Sequence, residues 1–531
     1  MPKKGENRWS FEVLPPPIPE KDIKNTIDTD VVVVGAGTAG MPAALSAMQA
    51  GAGVILIDKH TTFRWGGGDS SAIGSRLQKQ LGIEVDKDEV VLQLMKYGAN
   101  RPDQRIIRLW AENSGAIMDW LLDMLDDAGI EVSMFQWPRP AGFDSRTEYY
   151  PEYPTCHYWH TNRPYEGLAK SVKDNVAKSG TGFFLNQGLM LKCLEGNFLK
   201  SGGDLRYQTR AIQLVRKGKG RVTGVIARDK DGDYIRFNAR RAVVLCTGDY
   251  GNNPEMMQKY CPMAADIAAD KKRNEYMLYT KDLREAKEPL NVGDGHQMAM
   301  WIGAVMEPAP HAPMSHTLGI LGTDSFLHVN IKGERYENED VPARSLTNSL
   351  DLQPEGKAWQ VFDSKWEEEI PRMGVGLGKV YEVTDTARLV VASNALKADT
   401  IEELAVKMKV PSDAFRTTVD RYNELARLGK DLDFGKRADR LTTIDKPPYY
   451  AGRMTQHFLV VLGGLNTNTR LQPLDADWAV IPGLYLAGNT VGRFFAVDYP
   501  TMCPGLSHGM AWTTGRLAGL NAAAEVPHKE E

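Results

Sequence analysis

The sequence predicts an α/β protein organised around a parallel sheet, and three neighbouring features support this fold class. A valine-rich run from Asp28 to Val34 has the continuous apolar character of a buried strand. A glycine turn and a helix of small residues through Ala50 follow it, and a second apolar strand runs from Val54 to Asp58. Together these segments form one βαβ unit, and the length of 531 residues leaves room for on the order of two to four domains.

The other predicted elements follow in chain order. Residues 1–27 are rich in proline and predict an extended surface arm. Apolar residues at helical spacing from Gln104 to Ala128 predict an amphipathic helix. The segment of about 133–166 concentrates tyrosine and tryptophan among prolines and predicts an ordered loop that lines a pocket. The stretch from Leu205 to Leu245 predicts a meander of short strands that leads into a buried strand from Ala242 to Thr247.

Composition and charge exclude several classes of function. The net charge is -4, with 64 Lys and Arg against 68 Asp and Glu, so no cationic excess is available for nucleic acid or anionic lipid. The five cysteines lack metal-ligand spacing, which indicates buried thiols in a reducing compartment and no metal site. The first residues lack the apolar stretch of a secretion signal, so we expect a cytoplasmic protein. The least polar segment, Val31 to Ile57, carries glycines and polar residues that suit a buried βαβ unit better than a membrane span.

The turn after the first predicted strand has the pattern of a dinucleotide site. Gly35-Ala36-Gly37-Thr38-Ala39-Gly40 is G-x-G-x-x-G and opens a helix. The first glycine permits the tight turn, the second admits a pyrophosphate close to the backbone, and the third lets helix and strand pack closely. Asp58 ends the second strand, where a carboxylate accepts hydrogen bonds from the adenosine ribose. The motif predicts dinucleotide binding without separating FAD from NAD.

Further glycine-rich stretches favour a flavin over a nicotinamide cofactor. The stretch Arg64 to Ser75 follows the second strand and would let backbone amides lie against a flat ring. Cys246 to Gly251 ends a buried strand and Asn291 to Ala299 begins a helix, so both lie where open α/β sheets bind ligands. A last strand, loop and helix start covers 481–511, and its helix N-terminus could stabilise negative charge on a reduced flavin.

In order along the chain, these motifs resemble the FAD-binding flavoproteins that include fumarate reductase and succinate dehydrogenase, urocanate reductase and 3-ketosteroid dehydrogenases. The resemblance covers about 28–523 and includes C-T-G-D-Y-G, G-D-G, the N-x-x-G-x-R-Y-x-N-E run from Asn330 to Glu339, and G-L-Y-L-A-G-N. It implies a Rossmann-like FAD-binding domain, 28–305 and 457–531, with an inserted capping domain at 306–456 and the substrate between cap and flavin. FAD is expected to be noncovalent. The predicted FAD contacts are Gly35, Ala36, Gly37, Thr38, Ala39, Gly40, Asp58, Lys59, Gly67, Gly68, Asp69, Ser70, Ala211, Thr247, Gly248, Asp294, Gly488, Asn489, Gly505, Leu506 and Ser507.

The resemblance also implies a proton donor in the cap. Fumarate reductases place an arginine after the N-x-x-G-x-R-[FY]-x-N-E run, and Arg344 matches it one residue further along. Since a guanidinium barely deprotonates, nearby carboxylates would have to resupply the proton, and Asp340 or Glu339 could serve. The alternative is a surface arginine paired with those acids.

Two positions depart from fumarate reductase in the direction of a neutral substrate oxygen. Val460 stands near the usual place of a histidine, and Tyr499 stands near the usual place of an arginine, so two carboxylate clamps are absent. The Tyr-Pro segment is similar to 3-ketosteroid dehydrogenases, in which a tyrosine and a backbone amide, matching Tyr499 and Gly505, hold a ketone oxygen. The alternative is that Tyr499 is a packed aromatic residue. His311 is a further catalytic candidate and His316 is a second one, although each is as readily explained as structural.

The resemblance therefore implies an oxidoreductase that moves a hydride between FAD and a C–C bond next to a carbonyl group. The first expectation is an apolar or aromatic carbonyl substrate such as a 3-oxosteroid, in either direction of reaction. The second is a urocanate- or acrylate-type reductase serving as an electron sink, with Arg344, His311 and Arg493 on the carboxylate. The third is a non-catalytic electron carrier. Because no second nucleotide motif, haem site or iron–sulfur set is found, we expect NAD(P)H or an external redox partner to exchange the electrons.

Overall fold

A computed structural model describes residues 9–64, 66–134, 151–160, 186–270, 272–274, 290–322, 324–374 and 385–528. The chain divides into two compact units. The first unit combines Met1–Arg139, Tyr153–Met314 and Leu459–Glu531, and the second contains Ser315–Phe458. Most of the predicted aromatic loop, 135–150 and 161–166, lies outside the described residues, so the prediction of a pocket lining there stays a prediction.

The strands in chain order are β1 Ile23–Val34, β2 Val54–Ile57, β3 Ser70–Ser71, β4 Glu131–Met134, β5 Cys156–His160, β6 Asp204–Arg206, β7 Arg210–Arg216, β8 Val222–Arg228, β9 Tyr234–Leu245, β10 Ala312–Leu318, β11 Leu327–Asn330, β12 Ala358–Asp363, β13 Leu396–Ala398, β14 Tyr449–Arg453, β15 Thr455–Leu462 and β16 Leu484–Leu486. The helices are α1 Gly40–Gln49, α2 Arg76–Gln80, α3 Lys87–Tyr97, α4 Gln104–Ala128, α5 Asn186–Lys200, α6 Pro254–Tyr260, α7 Ala265–Ala269, α8 Asp294–Trp301, α9 Ala343–Asp351, α10 Trp366–Met373, α11 Asp385–Asn394, α12 Ile401–Met408, α13 Ser412–Leu428 and α14 Leu506–Ala523.

The first unit is built on a sheet with the strand order β6-β2-β1-β9-β8-β7, and β16 also pairs with β9. Strands β6, β2, β1, β9 and β16 are parallel to their neighbours in that set. Strands β7, β8 and β9 pair antiparallel. The predicted βαβ unit is confirmed, because β1 and β2 pair in parallel, Val31 opposite Val54, with α1 between them in the chain. The carboxyl ends of β1, β9 and β16 therefore lie side by side, where α/β sheets bind ligands.

Two strands are longer than predicted. Strand β1 begins at Ile23, inside the segment expected to be an arm, because its first half pairs with the first half of β9. In the first half of β1 the residues are exposed or half-buried, and they lack the continuous apolar run of Val31–Val34, which are all buried. Strand β9 likewise begins at Tyr234 rather than Ala242, since it pairs with β8 before it reaches β16.

The predicted helix from Gln104 to Ala128 is confirmed as α4. The Asp103 side chain caps its first turn by accepting a hydrogen bond from the Arg105 amide, and Gly129 ends it with a left-handed φ of 66°. Its buried face includes Ile107, Trp110 and Leu121. The periodicity of apolar residues therefore predicted both the helix and its buried face.

The second unit has an antiparallel sheet in the order β11-β12-β14-β13. One side of its core joins strand residues such as Val329 and Val361 to Leu404 of α12 and Phe415 of α13. A second cluster surrounds Phe362. The chain enters this unit within β10 and leaves it within β15. The first boundary falls later than the predicted residue 306, because residues 306–314 pack within the first unit.

The described part of the N-terminal arm, 9–22, is held to the first unit. Phe11 is buried, its ring lies 6.0 Å from that of Tyr260, and its carbonyl accepts the indole N–H of Trp301 at 2.9 Å. Ser10 donates through its amide and hydroxyl to Glu255 at 2.8 and 2.6 Å. The arm is thus a surface segment with one buried anchor. Within the described ranges, no helix is both long and apolar enough to cross a membrane.

Candidate active site

Each of the three glycines in the turn between β1 and α1 is explained by a different structural constraint. Gly35 has a φ of 102° and a Cβ there would lie 2.3 Å from the Cys246 carbonyl oxygen. A Cβ on Gly40 would lie 1.6 Å from the Gly35 oxygen, so this glycine is required for the packing of α1 on the sheet. Among the described residues, a Cβ on Gly37 would meet only the Arg64 carbonyl oxygen, at 3.7 Å. Gly37 therefore leaves space beside the N-terminus of α1, as a pyrophosphate site requires.

Asp58 follows β2 and is buried beside this turn. Its Oδ2 accepts the Ala36 amide at 2.8 Å, and its Oδ1 accepts the His60 amide at 2.8 Å and His60 Nδ1 at 3.0 Å. Burial alone would raise the pKa of Asp58, but the hydrogen bonds and charge of His60 and the Ala36 amide hold it below its usual value. His60 Nε2 is buried and has no hydrogen-bond partner among the described residues. The sequence analysis did not single out His60.

A charged cluster lies at the start of α8. Asp294 Oδ2 accepts from Lys59 Nζ at 2.6 Å, and Asp294 Oδ1 accepts from Arg210 at 2.8 Å. These two cations lower the pKa of Asp294 although burial opposes them. Ala211, buried next to Arg210 on β7, was also a predicted FAD contact. The structure thus groups Lys59, Ala211 and Asp294, three predicted residues from distant parts of the chain.

The segment after β9 is hydrogen-bonded to the residues at the start of α8 and to the loop after β16. The Thr247 hydroxyl accepts the Gly295 amide at 3.1 Å. Asp249 is buried, and it accepts the Gly251 amide at 2.7 Å and the Asn291 side chain at 2.8 Å. Burial raises the pKa of Asp249 to about 7, although backbone amides and the Asn489 side chain oppose the rise. Asp249 was not a predicted site residue, and its signal was its place in the C-T-G-D-Y-G stretch.

The glycine-rich stretch after β2 lies against the N-terminal part of α14. The Asp69 carbonyl accepts His508 Nδ1 at 2.6 Å and Gln187 Nε2 at 3.1 Å, and the Ser70 hydroxyl accepts the Trp512 indole N–H at 3.0 Å. A Cβ on Gly505, which has a φ of 81°, would lie 2.6 Å from the Ser70 amide nitrogen. The sequence analysis missed Gln187 and His508, since nothing local to either residue points to the 67–70 stretch.

Two more positions of α14 explain its many small residues. A Cβ on Gly515 would lie 2.3 Å from the Ala39 oxygen. A Cβ on Gly519 would lie 2.1 Å from the Ala43 oxygen. The Gly488 amide donates to Thr514 at 2.9 Å. Helix α14 therefore contacts the turn before α1, the 67–70 stretch and the loop after β16.

Tyr499 lies in the first unit with its ring buried. Its hydroxyl oxygen accepts the Ser507 amide, in the first turn of α14, at 3.2 Å. Burial and the neighbouring acidic groups raise the pKa of Tyr499 above its usual value. Its ring lies 5.4 Å from Phe495, which lies 4.6 Å from Phe494. The hydroxyl is therefore neutral, held by a helix N-terminus and flanked by aromatic rings.

The loop that carries these aromatic residues is anchored by Glu307. This buried carboxylate accepts the Gly464 amide at 2.9 Å through Oε1 and the Arg493 amide at 2.7 Å through Oε2. Burial raises the pKa of Glu307 to about 7 against the pull of these donors. Arg493 has a φ of 65°, and its Nε is buried with no hydrogen-bond partner in the part of the chain that is described.

His311 has no accessible surface and both of its ring nitrogens are bonded. Nδ1 pairs with the Tyr250 hydroxyl, and Nε2 pairs with the Glu307 carbonyl at 3.0 Å. Its ring stacks on Tyr260 with centroids 5.0 Å apart and an interplanar angle of 9°. A side chain bound in this way is suited to position its neighbours. The catalytic role expected for His311 stays a prediction.

Arg344 lies on α9 of the second unit and is 2% exposed, so the alternative of a surface arginine is wrong. It donates to the Ser315 hydroxyl at 3.1 Å. Glu339 accepts both Nε and NH2 of Arg335 at 2.8 Å, and Asp340 pairs with Arg437. The two predicted acids thus have other cationic partners, and the role of Arg344 as proton donor stays a prediction.

The residues around the β1–α1 turn fit a bound FAD. The buried His60 Nε2 has no hydrogen-bond partner among the described residues, and among those residues the Arg64 carbonyl oxygen is the one contact of a Cβ placed on Gly37. The turn from Gly35 to Gly40 would hold the pyrophosphate, Asp58 the ribose, and the segments at Gly67, Thr247 and Gly488 the flavin end. No cluster of His, Cys, Asp and Glu suited to a metal ion occurs in the described ranges.

Comparison with known proteins gives the same cofactor. The profile of a family described as FAD binding domain matches residues 30–503. The chain is 29% identical over 522 residues to a vinyl phenol reductase of Lactiplantibacillus plantarum, covering 93% of this chain and 96% of that one. It is 25% identical to a 3-oxosteroid 1-dehydrogenase of Mycolicibacterium smegmatis, covering 93% and 97%. The structure of the open conformation of a flavocytochrome c3 fumarate reductase matches with a TM-score of 0.65 at 25% identity, covering 98% of this chain and 84% of that one.

Proposed function

The chain belongs to the FAD binding domain family and is an FAD-dependent oxidoreductase of CH–CH groups, and from this premise we propose that its substrate is an apolar or aromatic compound with a C=C bond conjugated to a carbonyl group. A 3-oxosteroid is the representative substrate. The observation that carries the proposal is the buried Tyr499 hydroxyl, which accepts a helix amide and stands next to Phe495.

The proposed chemistry assigns Tyr499 to the substrate oxygen. The flavin, when bound, supplies or receives the hydride at the carbon β to the carbonyl group. When the hydride is supplied, negative charge develops on the carbonyl oxygen as the hydride reaches the β carbon; in the oxidative direction the same charge develops earlier, as the α carbon loses its proton. A neutral hydroxyl aimed at that oxygen stabilises it in both directions. The Ser507 amide polarises the hydroxyl by donating to its oxygen, which leaves the phenolic proton for the substrate. Arg344 stays the proposed source of the proton for the α carbon.

An aromatic oxygen in place of a ketone is consistent with the same site. The vinyl phenol reductase that resembles this chain acts, by its name, on an alkene conjugated to a phenol. Trp110 and Phe494, whose rings are 6.4 Å apart, extend the aromatic set beyond Phe495 and Tyr499. Flat conjugated substrates would suit a site beside these rings, because aromatic rings stack on them with little loss of side-chain entropy.

A second candidate is a urocanate- or acrylate-type reductase, and Arg493 favours it. Its buried Nε lacks a hydrogen-bond partner among the described residues, so it could meet a carboxylate. This candidate predicts that Arg493→Gln raises the KM for a cinnamate by about tenfold or more, with little change for a neutral enone.

The test follows reoxidation of the reduced holoenzyme under anaerobic conditions. The panel contains a 3-oxosteroid enone, 4-vinylphenol, a cinnamate, urocanate and fumarate. We expect rapid return of oxidised flavin absorbance with the enone and slow return with fumarate; rapid return with 4-vinylphenol but not with the enone would replace the carbonyl group of the proposal by a phenol. Efficient reduction of fumarate, or of urocanate alone, would contradict the proposal. Reoxidation by none of the panel would do so as well.

The electron source and the location of the protein complete the proposal. NAD(P)H or an external redox partner exchanges electrons with the flavin. Stopped-flow mixing with NADH and NADPH separates the two, because rapid bleaching by either nucleotide eliminates an obligatory protein partner. All five cysteines are buried and lie in the described residues without forming a disulfide, which fits the proposed cytoplasmic location.

A further inference from the structure

Asp69 is a buried acid whose position is set by its own backbone. His508 and Gln187 both donate to its carbonyl oxygen, at 2.6 and 3.1 Å. The Gly505 backbone lies so close that a Cβ there would be 2.9 Å from the Asp69 Cβ. His508 and Gln187 hold the Asp69 main chain on one side, and Gly505 covers the residue on the other. The carboxyl group is therefore kept away from solvent. It is 9% exposed as a residue.

One oxygen of the Asp69 carboxyl group accepts no hydrogen bond from the described residues. Asp69 Oδ1 is buried and has no hydrogen-bond partner within the described ranges. The Cys156 thiol favours the ionised form of the carboxyl group, and His508 is hydrogen-bonded to the Asp69 carbonyl rather than to its side chain. A buried polar atom without a partner costs stability and is kept where a ligand or a reaction uses it.

Asp69 and Tyr499 contact the same first turn of α14: Gly505 and His508 lie against Asp69, and the Ser507 amide between them donates to the Tyr499 hydroxyl. The titratable groups that act on Tyr499 are Asp69, Cys503 and Cys156, and a negative charge on Asp69 makes ionisation of the tyrosine harder. The first turn of α14, with Ser507, provides the positive end of a helix dipole nearby. An ionised Asp69 would place negative charge beside the hydroxyl that is proposed to receive the charge of the substrate oxygen.

Burial keeps the Asp69 carboxyl group protonated at slightly acidic pH. It raises the pKa of Asp69 to about 7, with the Cys156 thiol as a small opposing influence. Two protonation states are thus accessible near neutral pH. The neutral acid leaves the field of the helix N-terminus available to a developing oxyanion, whereas the carboxylate cancels part of it.

We propose that Asp69 is a positioning residue of the oxygen-binding site, whose carboxylic acid form permits Tyr499 to bind the substrate oxygen and whose carboxylate form weakens that binding. The inference rests on the proposed role of Tyr499. It gives Asp69, one of the predicted FAD contacts, a second role that FAD binding does not require. The proton enters and leaves Asp69 by exchange with solvent, and no bond of the substrate changes in this step.

The experiment measures ligand affinity without turnover. The oxidised holoenzyme is titrated with acetophenone, a carbonyl compound that does not ionise between pH 5 and pH 9, and the change in flavin absorbance gives Kd. For the wild type we expect a constant Kd at low pH and a rise of about tenfold per pH unit above the transition, until the weaker carboxylate form dominates. For Asp69→Asn, which is neutral at every pH and similar in shape, we expect the transition to disappear.

The controls separate this inference from the proposed function. Asp123→Asn, at an exposed carboxylate of α4, should titrate as the wild type does. FAD stoichiometry and thermal unfolding establish that Asp69→Asn is folded, and the alkaline limb of kcat/KM should disappear in that variant. A pH-independent wild-type Kd, or a transition retained in Asp69→Asn, would overturn the role of Asp69. Failure of acetophenone to bind at pH 6 would instead overturn the oxygen-binding role of Tyr499, and the inference with it.

Discussion

Replacing Gly37 by alanine separates cofactor binding from folding. Within the described part of the chain, the new Cβ would meet only the Arg64 oxygen at 3.7 Å, an ordinary van der Waals contact, and Gly37 lies outside the left-handed φ region. The apoprotein should therefore be as stable as the wild type or up to about 1 kcal/mol more stable, since alanine restricts the unfolded chain. The contrasting change is Gly40→Ala, whose Cβ would lie 1.6 Å from the Gly35 oxygen and should destabilise the protein.

The same methyl group would occupy the space that the pyrophosphate must enter. Displacing the phosphates from the amides at the start of α1 should remove one or two charge-assisted hydrogen bonds, each worth about 1.5–3 kcal/mol. We expect the Kd for FAD to rise roughly ten- to a hundredfold or more. Titration of the apoprotein by quenching of flavin fluorescence measures this change, and thermal unfolding of the apoprotein measures stability.

A matched control is Gly196→Ala. Gly196 lies in α5, and a Cβ there would meet no atom of the described residues within 4 Å. That variant should gain up to about 1 kcal/mol of stability, as alanine does in a helix, and should bind FAD normally. Wild-type affinity for FAD in Gly37→Ala, or a loss of affinity of equal size in Gly196→Ala, would refute the assignment of the turn.

Four other outcomes follow. Tyr499→Phe should lower kcat/KM for an enone by roughly a hundredfold with FAD retained, because one donor to developing oxygen charge is lost; an unchanged rate would exclude the hydroxyl from the chemistry. Arg344→Lys should also lower kcat, since an ammonium group does not reproduce the guanidinium geometry, and steady-state kinetics on the same enone would measure it. His60→Ala should weaken FAD binding by about tenfold in the fluorescence titration if Nε2 contacts the cofactor. Finally, the raised pKa of Asp69 means that folding favours its protonated form, so its contribution to stability is complete below the unfolded pKa and is lost as pH rises to about 7. Asp69→Asn should therefore raise Tm relative to wild type more at pH 8 than at pH 4, and an equal change at both pH values would count against an ionised, buried Asp69.

The segments that the sequence predicted well are those whose conformation depends on neighbouring residues. The turn from Gly35 to Gly40, the helix Gln104–Ala128 and the pairing of β1 with β2 require only local glycines, a cap and apolar periodicity. The full length of β1 was not predicted, because its first half is stabilised by pairing with β9, more than 200 residues away, rather than by its own apolar character.

The residues of the candidate site also differ in how far local sequence could predict their environment. Asp58 was predicted from its spacing to the glycine turn, and the structure brings its carboxylate to the Ala36 amide. His311 was proposed from resemblance, and only the packed structure shows that Tyr250 and the Glu307 carbonyl already engage both ring nitrogens. The sequence shows which side chains could take part in chemistry. It does not show which of their polar atoms are already hydrogen-bonded to other residues in the folded protein.

By itself, the sequence determined the α/β class, the glycine turn for a dinucleotide, the FAD family and the neutral residue Tyr499 where related enzymes carry charge. The tertiary structure decided the environment of each group: the burial of Asp69, the Ser507 amide on Tyr499, and the contacts of Gln187 and His508 with the 67–70 stretch. The physical reason is that backbone conformation is largely set by residues within a few positions. Desolvation and hydrogen-bond partners come from segments that only the folded chain brings together.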